Sequence, residues 1–226
     1  MFHDFLNLLY PKLCHACESS LKSNENILCT SCLHSLPVAD HHLEKDNPVE
    51  KIFYGRIPVE NATALLLFEK KGMVQKLIHN LKYRGHEEIG IFLGAWLGSE
   101  LKQLPEWQEI SMVIPIPLHK KKLKIRGYNQ VTGFGQELAK ALEVPYRDDI
   151  LLKVNATQTQ TLKKRLARWG SIDETFIVDA TSSLENAHIL LVDDLVTTGA
   201  TLEACAQKLL KIPQLKISIA TMAVTH

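Results

Sequence analysis

Two adjacent carboxylates, Asp193 and Asp194, directly follow the apolar run 189–192. A short run of branched apolar residues is typical of a strand buried on both faces of a parallel sheet. Small and hydroxyl-bearing residues come soon after the acids, namely Thr197, Thr198, Gly199, Ala200 and Thr201. Paired carboxylates can accept hydrogen bonds from a sugar diol or hold Mg²⁺ through its water molecules. Together the two features predict a site for a phosphorylated ribose.

The elements around these residues must place them at one edge of a sheet. Apolar residues after the loop recur at helical spacing, at positions 202, 205, 206, 209 and 210. A loop that enters a helix offers free N–H groups to a phosphate, and open α/β sheets bind ligands beyond the carboxyl ends of their strands. The alternative is an ordinary strand with acidic turn residues and a threonine cap. That alternative explains neither the paired acids nor the run of small residues.

Four cysteines near the N-terminus form two Cys-x-x-Cys pairs. They are Cys14 with Cys17 and Cys29 with Cys32. Two such knuckles suit a closed tetrahedral zinc site. Two disulfides or a redox pair are the alternatives, but the start of the chain lacks a secretory pattern and Cys205 falls in the predicted core helix. We therefore expect structural zinc, and we interpret His15 and His34 as surface residues.

Positive charge is concentrated in two segments of a chain whose formal net charge is only +1. The first, 119–126, contains Lys120, Lys122 and Arg126, and the second contains Lys163, Lys164, Arg165 and Arg168. Each segment is either a solvated surface or a site that neutralises pyrophosphate or a polynucleotide backbone. Lys82 lies in a third basic stretch, 82–85, and is a further candidate for contact with pyrophosphate or a DNA backbone. The favoured interpretation of the stretch itself is the last turn of a helix with a glycine cap.

The remaining pattern alternates strands and helices. Strands are predicted at 62–68, 112–116, 150–154, 175–178 and 216–224, and helices at 2–9, 71–84, 87–103 and 129–142. The polar stretch 37–58 predicts a linker or a loosely packed arm. A length of 226 residues, 46% of them hydrophobic, suits one α/β domain with a small additional module. No apolar run is long enough to span a membrane.

The motifs together resemble a known family. The acid pair and threonine loop are similar to the 5-phosphoribosyl-1-pyrophosphate (PRPP) motif of type I phosphoribosyltransferases. The cysteine pairs, K-Y-x-G at 82–85, P-x-P-L at 115–118 and R-G-[FY]-N-Q at 126–130 occur in this order in the ComF/GntX family. The resemblance implies a doubly wound parallel sheet over 46–226 and a zinc-finger module with linker over 1–45. It also implies a hood over the site at 157–176, with Gln160 and Arg168 at matching positions; Ser171 departs from the usual asparagine.

The resemblance also implies a function. It points to a cytoplasmic protein that binds PRPP with Mg²⁺ and handles single-stranded DNA during uptake, in contact with the uptake machinery. Tyr83, Tyr128 and Trp169 are candidate platforms for stacked bases because they lie beside basic residues. The alternatives are an active transferase, in which Asp193 and Asp194 serve catalysis toward an unidentified acceptor, and a nucleotide or PRPP sensor.

Overall fold

The computed structural model describes residues 11–153, 176–179 and 184–225. These ranges contain the strands β1 (Ala62–Phe68), β2 (Met112–Pro115), β3 (Leu151–Lys153), β4 (Phe176–Val178), β5 (His188–Val196) and β6 (Lys216–Thr225). Four of the strands form a parallel sheet in the spatial order β1, β6, β5, β2. β3 and β4 form a separate antiparallel ribbon.

Helices connect the strands and cover the sheet. They are α1 (Thr30–His34), α2 (Pro48–Phe53), α3 (Met73–Tyr83), α4 (Glu88–Leu101), α5 (Lys120–Arg126), α6 (Thr132–Ala141) and α7 (Ala200–Leu209). Short 3₁₀ turns lie at His41–Leu43 and Pro105–Trp107. Within the described ranges, no helix combines the length and apolar character needed to cross a membrane.

The sheet separates two hydrophobic cores. Leu190 and Val192 of β5 pack into the core formed with α3, α4 and α6. Ile189 and Leu191 face the other way, into the core formed with α2 and α7. This alternation follows from the two-residue period of a strand. Helices on both faces of a parallel sheet confirm the predicted doubly wound α/β class.

Several predicted elements are confirmed closely. β1 matches the predicted 62–68, and β6 extends the predicted 216–224 by one residue. The helices predicted at 71–84 and 87–103 are α3 and α4, slightly shortened at their ends. The segment 119–126 contains the short helix α5, because the His119 side chain accepts the Lys121 N–H and Gly127 ends the helix with a φ of 83°. The helix predicted at 2–9 lies outside the described residues.

The expectation of a loosely packed arm at 37–58 is wrong. Asn47, which is 2% exposed, ties this segment together. Its side-chain oxygen accepts the backbone N–H groups of Val49 and Glu50 at the start of α2. Its Nδ2 donates to the carbonyls of His41, Glu44 and Ala62. One buried amide therefore anchors a polar segment to β1, which composition alone does not reveal.

Residues 14–36, which include the four cysteines and are called the cysteine segment below, pack on the same hydrophobic core as α3 and α4. Ala16, Leu28 and Leu36 belong to the hydrophobic cluster that contains α3 and α4. Asn80 of α3 donates through Nδ2 to the His15 carbonyl at 2.9 Å. The segment is thus held against α3 by apolar burial and by a hydrogen bond.

Candidate functional site

The acid pair lies inside β5, whereas the sequence predicted it after the end of the strand. β5 continues to Val196 because β6 continues beside it, with Asp193 opposite Thr221 and Leu195 opposite Ala223. Successive residues of a strand point to opposite faces, so the two carboxylates diverge. Each acid therefore has its own surroundings, although the two are adjacent in sequence.

Asp194 is buried within a polar network. Its Oδ1 accepts Lys82 Nζ at 2.6 Å, and its Oδ2 accepts Gln130 Nε2 at 2.5 Å. Arg126 donates in turn to Gln130 Oε1 at 2.5 Å. Lys82 and Arg126 were predicted to contact pyrophosphate or a DNA backbone, whereas no role was predicted for Gln130. The R-G-[FY]-N-Q motif, which contains Gln130, could have indicated a role for this residue.

Asp193 is partly buried on the other face of the sheet. Its Oδ1 accepts the Asp194 backbone N–H at 2.8 Å. Burial, reinforced by the negative charge of Asp194, raises the pKa of Asp193 to about 7. A carboxyl group with such a pKa is ready to release its proton when a cation or a hydroxyl donor approaches.

The threonine loop turns sharply between β5 and α7. Gly199 has a φ of 72° and caps the N-terminus of α7, while Thr197, Thr198 and Thr201 are exposed. Arg56 braces this turn by donating through Nη1 to the Thr198 carbonyl at 2.6 Å and by pairing with Glu203 of α7. The position of the loop is therefore fixed by a side chain from a distant part of the sequence. Arg56 was not predicted from the sequence, because 142 residues separate it from Thr198.

A cavity of about 370 Å³ opens beside this loop. Its walls include Leu67 near the end of β1, Val224 and Thr225 at the end of β6, and Thr197. The cavity thus lies at the carboxyl edge of the sheet, where parallel sheets bind their ligands. Its volume falls within the range of small-molecule sites.

The predicted basic residues divide into two groups. Lys82 and Arg126 join the Asp194 network, whereas Lys120 and Lys122 are exposed on α5. Gln160 and Arg168 lie outside the described residues, as do Trp169 and the second basic segment.

The two tyrosines considered as platforms for bases differ in their surroundings. Tyr83 is 65% exposed, and the Arg126 guanidinium lies 5.1 Å from its ring centroid. Tyr128 packs against the core and donates its hydroxyl to the Leu81 carbonyl. Tyr83 therefore offers a surface on which a base can stack, and Tyr128 contributes to the core.

The four N-terminal cysteines lie together. Their sulfur atoms are all within 4.8 Å of one another, and Cys17 Sγ is 3.7 Å from Cys29 Sγ. Thiolates around one tetrahedral zinc ion, with Zn–S bonds of about 2.3 Å, stand about 3.8 Å apart. All four thiols are free of disulfides. The cluster can therefore hold a zinc ion, and the alternative of two disulfides does not describe this structure.

Known proteins resemble this chain over most of its length. The family model described as "Phosphoribosyl transferase domain" matches residues 132–225. "Competence protein ComFC" of Bacillus subtilis (strain 168) is 30% identical over 211 residues, which cover 91% of this chain and 82% of the relative. The chain belongs to the ComF family.

One further relative and one solved structure are also similar to this chain. "DNA utilization protein YhgH" of Escherichia coli (strain K12) is 25% identical over 88% of this chain and 84% of its own. An adenine phosphoribosyltransferase of known structure aligns with 68% of this chain and 75% of its own, at 13% identity and a TM-score of 0.39.

The matched domain covers only part of the site in this ComF-family chain. Residues 132–225 contain the acid pair and the threonine loop. Lys82, Gln130 and the four cysteines precede this range, as does Arg56. Several residues of the candidate site therefore lie outside the matched domain.

Proposed function

We propose that this ComF-family protein binds a phosphorylated ribose, with PRPP and Mg²⁺ as the expected ligand, and handles single-stranded DNA during DNA uptake. The observation that carries the proposal is the threonine loop, which follows the acid pair of β5 and lies beside a cavity at the carboxyl edge of the sheet. Relatives named "Competence protein ComFC" and "DNA utilization protein YhgH" support the link to DNA.

The loop and the acids have complementary roles in this proposal. The N–H groups at the start of α7 and the hydroxyls of Thr197, Thr198 and Thr201 hold the 5-phosphate. Asp193 accepts a ribose hydroxyl, whereas the two oxygens of Asp194 already accept Lys82 and Gln130 on the other face of β5. The Asp193 carboxylate also suits Mg²⁺ held through its water molecules, and Mg²⁺ would neutralise charge on the pyrophosphate. Lys82 fixes Asp194, and with it the part of β5 that carries Asp193, before the ligand arrives.

A single strand of DNA needs positive charge and flat surfaces. The exposed lysines of α5 provide the charge, and Arg126 at the end of α5 lies against the exposed ring of Tyr83. Arg126 also belongs to the Asp194 network. We therefore place the DNA backbone along α5 and a base on Tyr83, next to the phosphoribosyl site.

Transferase activity is the second candidate, and the match to the phosphoribosyl transferase domain favours it. In this reaction an acceptor would form a bond to the anomeric carbon of PRPP while pyrophosphate leaves with its bonding electrons. The charge that develops on the leaving group would be stabilised by Mg²⁺ and the basic side chains. Sensing of PRPP or a nucleotide requires the same binding site without this step.

The experiment measures binding of PRPP with Mg²⁺ by calorimetry and binding of single-stranded DNA by fluorescence anisotropy over a range of salt. We expect DNA affinity to fall steeply with salt because bound cations are released. Neutralising Lys120, Lys121 and Lys122 together should reduce this slope. Neutralising the exposed Lys51, Lys102 and Lys211 removes the same charge and should change it less.

The acid pair is tested by Asp193→Asn combined with Asp194→Asn, which should weaken binding of PRPP with Mg²⁺ and leave DNA affinity largely intact. Absence of binding to PRPP, ribose 5-phosphate and nucleotides would refute the phosphoribosyl site. Absence of DNA binding, together with pyrophosphate release that depends on the two acids, would favour the transferase.

A further inference from the structure

A group of three potential metal ligands lies beside the cysteine cluster. His15, His86 and Glu88 each present one ligand atom, and the three atoms lie within 4.8 Å of one another. Glu88 Oε1 is 3.3 Å from His15 Nε2 and 2.9 Å from His86 Nδ1. We propose that these three side chains form a second transition-metal site, distinct from the four cysteines.

The separations suit a metal ion. Ligands bound to zinc at about 2.0–2.1 Å in tetrahedral geometry stand about 3.3 Å apart. The distance from Glu88 Oε1 to His15 Nε2, 3.3 Å, already has this value, and the distance to His86 Nδ1, 2.9 Å, is slightly shorter, so both imidazoles converge on one carboxylate oxygen. The two ring centroids lie 4.3 Å apart, and the rings are inclined by 52°. Only small side-chain movements would bring the three atoms around one ion.

The backbone of the group is fixed from several directions. The His15 N–H donates to the Ile27 carbonyl, and the His15 carbonyl accepts Asn80 Nδ2. Gly85, with a φ of 77°, turns the chain so that His86 and Glu88 follow at the start of α4. Ligands held by rigid neighbours lose little conformational entropy when they bind a metal.

The chemistry of the donors indicates which metals bind. Two imidazoles and one carboxylate suit Zn²⁺, Co²⁺, Ni²⁺ or Cu²⁺ better than the hard cations Mg²⁺ or Ca²⁺. Three protein ligands leave a coordination position for water. The side chains of His86 and Glu88 are 37% and 46% exposed, so solvent and metal can reach the group, while that of His15 is 13% exposed. The interpretation of His15 as a surface residue is therefore wrong.

A metal at this position would connect two parts of the molecule. His15 lies between the two cysteines of the first knuckle, and His86 and Glu88 lie at the junction of α3 and α4. The same junction carries Lys82, which pairs with Asp194. A bound ion would thus link the cysteine segment to the α3–α4 junction, next to the helix that supplies Lys82.

Cobalt distinguishes the two metal clusters in the full chain. Co²⁺ bound to thiolates gives an intense ligand-to-metal charge-transfer band, whereas Co²⁺ bound to imidazole and carboxylate gives only weak visible bands. We expect the zinc-containing protein to bind one additional Co²⁺ per chain with weak bands alone. The melting temperature should rise with Co²⁺ because the metal binds the folded state.

Variants locate the additional ion. His86→Ala and Glu88→Gln should each weaken Co²⁺ binding by about tenfold or more and abolish the rise in melting temperature. His34→Ala removes an exposed histidine of the cysteine segment and should leave both readouts unchanged. The proposal is overturned if both variants bind Co²⁺ as the wild type does, or if Co²⁺ enters only with the thiolate band.

Discussion

The carboxyl group of Asp194 is buried, and water has little access to it. Its side chain is 6% exposed, and its two oxygens face Lys82 and Gln130. Removing one partner of a buried ion pair leaves the other charge without compensation, which costs more than the pair itself contributes. We therefore expect Lys82 to be needed for the stability of the folded chain as well as for ligand binding.

Lys82→Met should lower the free energy of unfolding by about 3 kcal/mol, because the buried side chain of Asp194 would lose its cationic partner. Urea denaturation at neutral pH measures this change. Adding Asp194→Asn should restore most of the loss. Lys120→Met, on exposed α5, serves as the control and should change stability by less than about 0.5 kcal/mol. A Lys82→Met variant as stable as the wild type would contradict this account.

Asp193 makes stability depend on pH in the direction opposite to that of an ordinary paired acid. Its pKa is raised to about 7, so between about pH 4 and pH 7 the folded chain holds a proton that the unfolded chain has released. Stability therefore falls as pH rises through this window. Asp193→Asn should become more stable than the wild type, with an advantage that grows by about 2 kcal/mol from about pH 5 to pH 8.

Denaturation curves in buffer without Mg²⁺ at the two pH values test this prediction. Asp148→Asn, which changes an acid of the 148–149 pair, provides a matched substitution for comparison. An advantage of Asp193→Asn that stays constant or shrinks with pH would show that Asp193 does not have a raised pKa.

At the scale of elements, the turn between β5 and α7 leaves no space for a side chain at Gly199. A Cβ atom on Gly199 would lie 2.7 Å from Ile52 Cγ2 and 2.8 Å from Phe53 Cε1 of α2. The residue also has a positive φ, which side chains with a Cβ adopt at a cost. The threonine loop is thus shaped by packing against α2 as well as by the brace from Arg56.

Gly199→Ala should cost about 3 kcal/mol of unfolding free energy, because strain at a positive φ adds to overpacking. Gly85→Ala provides the control, since Gly85 has a similar φ of 77° but nothing within 4 Å of its would-be Cβ. That variant should cost only about 1 kcal/mol. Equal losses in the two variants, measured by chemical denaturation, would mean that the contact with α2 does not constrain the turn.

At the scale of the whole molecule, the cysteine cluster and the main core share one hydrophobic interior. Cys14 and Cys32 are themselves part of the buried cluster that includes α3 and α4. Where a metal organises a small segment, its binding energy is folding energy. Loss of zinc should therefore lower the stability of the main core as well as that of the cysteine segment.

We expect elemental analysis to find about one zinc ion per chain in the four-cysteine cluster. Cys14→Ser should abolish this zinc and lower the melting temperature of the entire chain. Cys205→Ala changes a buried cysteine of α7 and should retain the zinc. If Cys14→Ser lost its zinc while the main transition kept its melting temperature, the cysteine segment would be energetically separate from the sheet.

Local sequence patterns were sufficient to predict several parts of this protein. The apolar run at 189–192, the threonine loop, the helix that became α7 and the two cysteine pairs were predicted because each is a short stretch whose composition has one dominant physical solution. The tertiary structure decided which distant side chains complete the site. Lys82 and Gln130 meet Asp194, and Arg56 meets Thr198, only because the sheet order brings α2, α3 and the segment before α6 to β5. Such contacts depend on how helices cover the two faces of the sheet, and a buried carboxylate acquires its partners and its pKa from that packing.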